Sequence, residues 1–244
     1  MDIIWKNENL DLKMLIYDTL PTGSKLGFIE IIKESSTVFK ILTEGGRKGR
    51  YQMDDTQLFK WISENNKNEK LNHAIDNFTK SCAAFCVATF LLGIGDRHPS
   101  NIMINKEGKL FHIDFGHFLG HFKEKFGFKR ERVPFVLTEH FTKVISKGAI
   151  NPIQTAEFQR FRSLCESAYL IIRRHSNLFI SIFAIMLSSG IPELKSKDDI
   201  MYLKNKLATD MSEEKALDFF RQQFDESLTL SFTTRFDWIF HAIN

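Results

Sequence analysis

Residues 93–116, GIGDRHPSNIMINKEGKLFHIDFG, form the most informative stretch of this 244-residue chain. Two β-type segments, 101–104 and 109–113, flank the turn sequence Lys106-Glu107-Gly108, and this combination predicts a β-hairpin. A polar Asp-Arg-His run lies before the hairpin, and an Asp-Phe-Gly sequence follows it directly. Because a hairpin brings its two ends together, we expect the polar residues at those ends to form one site.

The side chains of Asn101 and Asp114 carry oxygen atoms, which are the ligands that Mg²⁺ prefers. Transfer of the γ-phosphoryl group of ATP needs such a metal and a group that orients the acceptor hydroxyl. Asn101 and Asp114 are therefore the candidate metal ligands, and Asp96, Arg97 and His98 are the candidate catalytic residues. Either Asp96 or His98 could accept the proton, and the sequence leaves this choice open. Each fragment alone is a weak signal, and their joint spacing carries the interpretation.

The patterns on either side of the hairpin predict an α+β chain that is mostly helical. Residues up to Asn7 are predicted to end a helix, and 10–32 to form two short strands joined by a turn at Pro21-Thr22-Gly23. Residues 43–50 are predicted to be a surface loop, and 114–138 a long functional loop. Helical periodicity extends over 56–65, 71–92, 139–146, 157–175, 178–188, 198–207, 212–224 and 236–243.

The overall composition excludes few functions. A net charge of +3 gives no argument for nucleic acid as a partner. No run of about 18 apolar residues predicts a membrane span, and the N-terminus does not resemble a signal peptide. Cys82, Cys86 and Cys165 have no paired spacing, which favours reduced thiols in the cytosol.

The order Asp-Arg-His differs from the His-Arg-Asp order of ordinary protein kinases. Followed by two residues and Asn, it resembles the phosphoinositide kinase and related protein kinase superfamily. The resemblance extends over essentially the full chain and is closest to class I phosphoinositide 3-kinase catalytic subunits, the alpha type in particular. It implies a protein-kinase-like fold in which residues 1–32 are a remnant of the N-lobe with the hinge. Residues 33–244 would then be the C-lobe, with the catalytic loop, the activation loop and C-terminal helices.

The same resemblance implies an ATP site at the hinge, Ile29-Glu30-Ile31-Ile32. Backbone groups of Glu30 and of Ile31 or Ile32 would bond the adenine. The walls of the pocket would be Tyr17, Ile29, Met103 and Ile113. Without the resemblance, these apolar residues would be read as ordinary strand core.

Residues 121–132 concentrate five cations among aromatic residues: Lys123, Lys125, Lys129, Arg130 and Arg132. A phosphorylated inositol ring is a compact polyanion that such cations could neutralise. The resemblance implies phosphatidylinositol 4,5-bisphosphate as the substrate and the 3-hydroxyl as the acceptor. Pro99-Ser100 departs from the class I pattern and keeps a related Ser/Thr protein kinase as the alternative. A noncatalytic membrane-binding or scaffold module is the third hypothesis.

The sequence contains no phosphate-covering loop and no preceding Lys for the ATP phosphates. We therefore expect a fragment with little or no kinase activity alone, which would expose an apolar lobe interface. The resemblance implies a regulatory subunit bound through further domains, and a cytoplasmic protein recruited to the plasma membrane. It also places the segment Asp237-Trp238-Ile239-Phe240-His241 near the bilayer, although a helix buried against the lobe fits that segment nearly as well.

Overall fold

The computed structural model describes residues 1–44, 47–48, 52–121, 124–125, 128–129, 133–191, 194 and 196–233. The helices are α1 (Asp2–Asn7), α2 (Val38–Glu44), α3 (Gln57–Asn65), α4 (Glu69–Leu92), α5 (Glu139–Ile145), α6 (Ala156–Arg174), α7 (Ser176–Met186), α8 (Lys197–Leu207) and α9 (Glu213–Thr233). The strands are β1 (Thr19–Gly23), β2 (Leu26–Ile29), β3 (Ser35–Thr37), β4 (Arg47–Lys48), β5 (Gln52–Met53), β6 (Ile102–Asn105), β7 (Leu110–His112), β8 (Glu124–Lys125) and β9 (Phe128–Lys129).

Helix α4 is the centre of the fold, because it is apolar on nearly every side and packs against α5, α6, α8 and β7. It has the length and apolar character of a membrane span, but 83% of its most apolar stretch is buried inside the protein. Such burial is what the core helix of a packed domain shows. Gly93 ends α4 with φ +55°, a left-handed conformation that glycine adopts without steric cost.

The predicted hairpin is confirmed: β6 and β7 pair antiparallel, with Ile102 opposite His112. Side chains of α4 satisfy its backbone from behind. Ser81 Oγ accepts from the Leu110 N–H at 2.9 Å, and Asn77 Nδ2 donates to Glu107 O at 2.9 Å. The hairpin is therefore fixed to the central helix by hydrogen bonds as well as by packing.

Strand β3 pairs with the other edge of β6 and completes a three-stranded sheet. The sequence patterns did not predict β3 or α2. Strand β3 is short and polar, Ser35-Ser36-Thr37, and only its pairing with a segment more than 60 residues later makes it a strand.

Strands β1 and β2 form a separate hairpin whose residues are all exposed. Two strands were predicted here, and they are confirmed. The predicted position of the turn was wrong: Pro21 and Gly23 belong to β1, and the turn lies at Ser24 and Lys25. Lys25 adopts φ +60°, so the left-handed residue of this turn is a lysine and not the glycine that usually marks such a position.

The remaining helices form the body of the lobe. Aromatic rings from α4, α6 and α9 pack together, as where Tyr169 stacks on Phe220 with 4.6 Å between ring centroids. Trp5 of α1 is fully buried, and its indole donates to Ala168 O of α6 at 2.9 Å. The first helix is thereby held against the helical lobe.

The other predicted helices are confirmed, with ends displaced by one or two residues in most cases. Helix α7 begins at Ser176 and passes into a 3-10 turn at Leu187–Ser189. Helix α9 continues to Thr233, well beyond the predicted end at Phe224. The helix predicted at 236–243 lies outside the described residues.

Candidate active site

The two ends of the buried hairpin meet as the sequence predicts. Ile113 N donates to Asn101 O at 3.0 Å, which continues the pairing of β6 with β7 and places Asn101 beside the residue before Asp114. The Asn101 side chain is almost fully buried, and its Nδ2 donates to Asp96 O at 3.0 Å. Because the amide nitrogen is used in this way, the amide oxygen of Asn101 is the atom that remains to accept or to coordinate.

Arg97 ties the loop before the hairpin to the segment after it. Its Nε donates to Gly95 O at 2.8 Å, and Nη1 donates to Ile113 O at 2.7 Å. Nη2 donates to Asp114 O, and the guanidinium carbon lies 5.6 Å from the centroid of the Phe115 ring. The fork geometry of guanidinium lets one side chain fix several carbonyls at once.

Asp96 and Asp114 both adopt left-handed backbone, with φ +57° and φ +59°. For residues other than glycine, this conformation costs roughly 1 to 3 kcal/mol and persists where surrounding contacts impose it. Here the contacts are the bonds from Asn101 and Arg97 to the two aspartate carbonyls. Both aspartates that the sequence selects for chemistry therefore have left-handed backbone, which also occurs at other described residues such as Leu119 and Ala208.

Pro99 and Ser100 lie in a 3-10 turn, Pro99–Asn101, that links the loop to β6. Proline is favoured at the first position of such a turn, because its fixed φ fits and its missing N–H is not needed there. His98 lies immediately before this turn, and its carbonyl accepts from Asn101 N at 2.9 Å. The departure at Pro99 therefore has a local structural reason and does not by itself argue for a protein substrate.

Two side chains lie within electrostatic reach of this cluster. Burial raises the pKa of the Tyr17 phenol, Arg97 lowers it, and Asp114 raises it. The Tyr17 hydroxyl donates to His112 O at 3.2 Å. Burial, helped by the positive charge of Arg97, lowers the pKa of His112 to about 3, so this imidazole is neutral at physiological pH.

The donor set at the hairpin fits Mg²⁺. Asn101 supplies an amide oxygen and Asp114 a carboxylate, both hard oxygen ligands of the kind that magnesium uses together with substrate phosphates. Among the described residues, no group of three or more His, Cys, Asp or Glu could hold a metal ion. An amide and one carboxylate do not form such a group, and they suit a metal that also binds phosphate.

The predicted ATP-site residues divide into two sets. Tyr17, Ile32, Met103 and Ile113 are half-buried and pack against the core beside the hairpin. Ile29, Glu30 and Ile31 are exposed, with Ile29 at 68% and Ile31 at 85% of full exposure. Glu30 N donates to Asp18 O at 2.9 Å, and Ile32 O accepts from Ser35 Oγ at 2.7 Å. These two backbone groups already have partners, so any adenine contact would use other atoms of the segment.

The predicted substrate-binding residues lie mostly where no structure is described. Lys123, Arg130 and Arg132 are outside the described residues. Lys125 is in β8 and Lys129 in β9, two short strands that pair antiparallel with Lys125 opposite Phe128. The basic segment therefore contains a small hairpin, and its role in binding stays a prediction.

Contacts from α8 reach the site and were not predicted. Tyr202 lies against Gly93 and Gly120, and Asp199 Oδ1 lies 2.7 Å from His121 Nε2. The only hint in the sequence is that both positions, one before Asp96 and one after Asp114, are glycines. Nothing local indicates that their partner is a tyrosine more than 80 residues later.

The mostly helical lobe, its few short strands and the hairpin with Asn101 and Asp114 at its ends define a kinase-like C-lobe of the α+β class. Residues 1–196 match the family of phosphatidylinositol 3- and 4-kinases. The chain belongs to this family and is part of its catalytic domain.

Two relatives from Dictyostelium discoideum carry the name phosphatidylinositol 3-kinase. The chain is 44% identical to phosphatidylinositol 3-kinase 1 over 246 residues, which cover 100% of this chain and 15% of that protein. It is 42% identical to phosphatidylinositol 3-kinase 2 over 243 residues, which cover 99% of this chain and 13% of that protein. The chain thus spans a small part of the relatives that it matches.

Proposed function

We propose that this chain is the C-lobe of a phosphoinositide 3-kinase catalytic domain, in a protein of the class I alpha type. The reaction is transfer of the γ-phosphoryl group of ATP to the 3-hydroxyl of a phosphatidylinositol lipid, with phosphatidylinositol 4,5-bisphosphate as the substrate. The observation that carries the proposal is the hairpin that brings Asn101 beside the segment of Asp114. The names of the two relatives favour the 3-hydroxyl as acceptor.

Asn101 and Asp114 are the residues that hold Mg²⁺ in this proposal. A metal held there would supply the positive charge that stabilises a phosphoryl group in transfer. Arg97 positions Asp114, because it fixes the carbonyls of Ile113 and Asp114, which belong to the two peptides that flank this residue. The lipid hydroxyl forms the new bond to phosphorus as the bond to ADP breaks, and Asp96 or His98 accepts the hydroxyl proton.

The half-buried side chains beside the hairpin supply one wall of the ATP site. Tyr17 contacts the hairpin through His112 O, and Met103 lies on β6 facing the same region of core. The segment 29–32, which is exposed except at the half-buried Ile32, supplies the adenine contact in this proposal. Its large exposed apolar side chains fit a surface that nucleotide and further parts of the protein cover.

The basic segment supports a phosphorylated headgroup as the acceptor. Lys123, Lys125, Lys129, Arg130 and Arg132 follow the metal-binding segment within 18 residues of Asp114. Charge-assisted bonds to phosphate are among the stronger hydrogen bonds in proteins. A peptide hydroxyl would need no such concentration of positive charge.

Asp114→Asn in the full-length protein tests the metal-binding part. The change removes the negative charge and retains the shape, and loss of several kcal/mol of transition-state stabilisation predicts at least about a 100-fold fall in kcat. Formation of radiolabelled lipid from phosphatidylinositol 4,5-bisphosphate vesicles is the measurement. Asp210→Asn, at an exposed position after α8, is the matched control and should retain activity. Full lipid kinase activity of Asp114→Asn would contradict its role as a metal ligand, whereas a parent protein without lipid kinase activity would favour the scaffold hypothesis.

Neutralising Lys125 and Lys129 together to Gln tests the substrate. We expect the KM for phosphatidylinositol 4,5-bisphosphate to rise at least about 10-fold, because each charged hydrogen bond contributes about 1.5 to 3 kcal/mol. The KM for unphosphorylated phosphatidylinositol should change little. Lys67→Gln with Lys70→Gln removes two exposed cations elsewhere and is the charge-matched control. The protein kinase hypothesis would be favoured if the protein phosphorylated a peptide but no lipid, and if the double Lys→Gln variant phosphorylated the peptide at the parent rate.

The remaining proposals concern the whole protein. A cytoplasmic enzyme recruited to the plasma membrane, with a regulatory subunit bound through domains outside this chain, is consistent with relatives that are far longer than this segment. The segment 237–241 would lie near the bilayer, and it is outside the described residues. Vesicle sedimentation of the full-length protein, with and without anionic lipid, tests the recruitment.

A further inference from the structure

Tyr202 of α8 fills the space between two glycines that lie on either side of the candidate active site. Gly93, at the end of α4, has φ +55°, and a Cβ there would lie 2.4 Å from the Tyr202 hydroxyl oxygen. Gly120, six residues after Asp114, has φ +82°, and a Cβ there would lie 2.8 Å from Tyr202 Cδ2. One ring therefore contacts both backbones so closely that neither position has room for a side chain.

The Tyr202 ring acts through its shape and not through charge. Burial raises the pKa of its phenol to about 12, so the side chain is neutral at physiological pH. Lys206, one turn further along α8, places Nζ 4.6 Å from the centroid of Phe90 and 5.7 Å from that of Tyr202. Since Phe90 belongs to the last turn of α4, these cation–π contacts hold α8 against the helix that leads into the site.

The ring contacts two strips of backbone, residues 92–95 and residues 117–120, and two backbone hydrogen bonds join them. Leu119 N donates to Leu92 O at 2.7 Å, and Gly95 N donates to His117 O at 2.9 Å. These bonds connect the segment that follows Asp114 with the start of the loop that leads to Asn101. Tyr202 lies beside this junction at Gly93 and Gly120, so its ring helps to set the separation of the two strips.

A second contact from α8 reaches the same segment. Asp199 is nearly buried, and its Oδ1 lies 2.7 Å from His121 Nε2. Its other oxygen accepts from Ser196 N at 2.9 Å in the capping box that begins α8. The carboxylate is therefore fixed by its own helix, and it anchors the residue directly after Gly120.

We infer that α8 positions the two metal ligands relative to each other, with Tyr202 as the principal positioning residue and Asp199 as the second. The inference rests on the proposed function, since the ligands matter only if the site transfers phosphate. A displacement of about 1 Å at a catalytic group can reduce a rate about 100-fold, so the separation of the two strips bears directly on activity. Both α8 residues act through the backbone segments that they contact, and neither is assigned a contact with the reacting atoms.

Tyr202→Ala in the full-length protein is the main test. We expect the Mg²⁺ concentration for half-maximal activity to rise about 10-fold or more, the range seen when partners that orient metal ligands are removed. The KM for ATP should change less than about 2-fold, because the adenine contacts lie elsewhere. Tyr202→Phe keeps the ring and loses only a neutral hydroxyl, so it should retain the parent Mg²⁺ dependence.

Hydrogen exchange provides a readout that does not depend on activity. In the metal-free protein, the amides of Gly95 and Leu119 should exchange at least about 10-fold faster in Tyr202→Ala than in the parent, because their bonds lose the packing behind them. Phe161→Ala is the matched control. It removes a fully buried ring from α6, where Phe161 contacts Phe158 and Phe224, and it should leave these two amides and the Mg²⁺ dependence unchanged.

The outcomes separate this inference from the proposed function. If Tyr202→Ala and Phe161→Ala destabilise the protein equally and neither changes the Mg²⁺ dependence or the two amides, the positioning role is overturned and the kinase assignment stands. If the parent protein forms no phosphorylated lipid, the proposed function itself fails. Tyr202→Leu, which retains part of the volume, is used if the alanine variant does not fold, and it should give an intermediate shift. Parent-like values for Tyr202→Leu would also overturn the inference.

Discussion

The protein contains two antiparallel hairpins that differ in almost every physical respect. In the β1–β2 hairpin all residues are exposed, including Phe28 at 70%. In the β6–β7 hairpin nearly all are buried, including Phe111 at 2%. The first hairpin bears the predicted adenine-binding segment, and the second holds the predicted metal ligands at its ends.

This difference indicates which hairpin is held in place by contacts within the lobe. The buried hairpin takes hydrogen bonds from α4, a third strand on one edge and core packing around it. The exposed hairpin has the hydrogen bonds between its own strands and two bonds between Asp18 and Glu30. None of these contacts buries apolar side chains. A site for metal and phosphate can be preorganised on the buried hairpin, whereas the exposed hairpin depends on whatever covers it.

The largest contrast should come from glycine substitutions. Gly108→Ala in the buried hairpin places a Cβ 2.1 Å from Ala74 O at a residue with φ +87°, so we expect a loss of more than about 4 kcal/mol in the free energy of unfolding. Gly23→Ala in the exposed hairpin meets only Leu26 side-chain atoms at 4.0 Å and should change stability by less than about 1 kcal/mol. Denaturant unfolding of the 244-residue chain is the measurement. Similar losses in both variants would break the comparison.

Truncation of a phenylalanine in each hairpin should give the next largest difference. Phe111→Ala should lower the free energy of unfolding by about 3 to 5 kcal/mol, because it removes a buried ring and leaves a cavity. Phe28→Ala should change it by less than about 0.5 kcal/mol in this chain, since the ring is exposed. Repeating the pair in the full-length protein sharpens the comparison. A larger effect of Phe28→Ala there would show that further parts of the protein cover the exposed hairpin.

A smaller effect is expected from the hydrogen bond that α4 gives to the buried hairpin. Ser81→Ala leaves the Leu110 N–H buried without its acceptor, which should cost about 1 to 3 kcal/mol. Glu30→Gln keeps an oxygen near Asp18 N at the exposed hairpin and should cost less than about 0.5 kcal/mol. The same denaturant titration compares the two. A neutral Ser81→Ala would mean that another group satisfies the amide.

The last expected effect is a pH dependence of the free energy of unfolding, which is small over any one pH unit and comes from His112 in the buried hairpin. His112 has a folded pKa of about 3, below its ordinary value, so the unfolded chain binds the extra proton first as pH falls. Stability from this group is full above about pH 6.5 and declines by up to about 1.4 kcal/mol per pH unit towards pH 3. His112→Phe keeps the stacking on Phe85 and should remove this part of the slope. Equal slopes in parent and variant would contradict the neutral, buried imidazole.

Much of this architecture could be predicted from local patterns. The hairpin at 101–113 and the core helix near 71–92 are both confirmed, because strand periodicity, turn residues and a long apolar run are encoded in adjacent residues. The proximity of Asn101 and Asp114 followed from the hairpin itself. Their roles as ligands stay predictions.

What the sequence did not reveal depends on distant partners. Ser35–Thr37 becomes a strand only beside Met103–Asn105, and the β1–β2 turn sits on Lys25 instead of the expected Pro-Thr-Gly. Tyr202 contacts Gly93 and Gly120 because of how α8 packs, and the sequence pattern of α8 does not predict this packing. Tertiary contacts of this kind override local propensity.

The bond between the Trp5 indole and Ala168 O has a consequence for biosynthesis. The two residues are 163 positions apart, so this hydrogen bond cannot form until α6 has been made. At roughly 5 to 20 residues per second, the ribosome needs about 8 to 30 seconds to cover that interval. During this time the Trp5 side chain lacks its partner on α6. We expect a chaperone that binds apolar side chains of nascent chains to bind it.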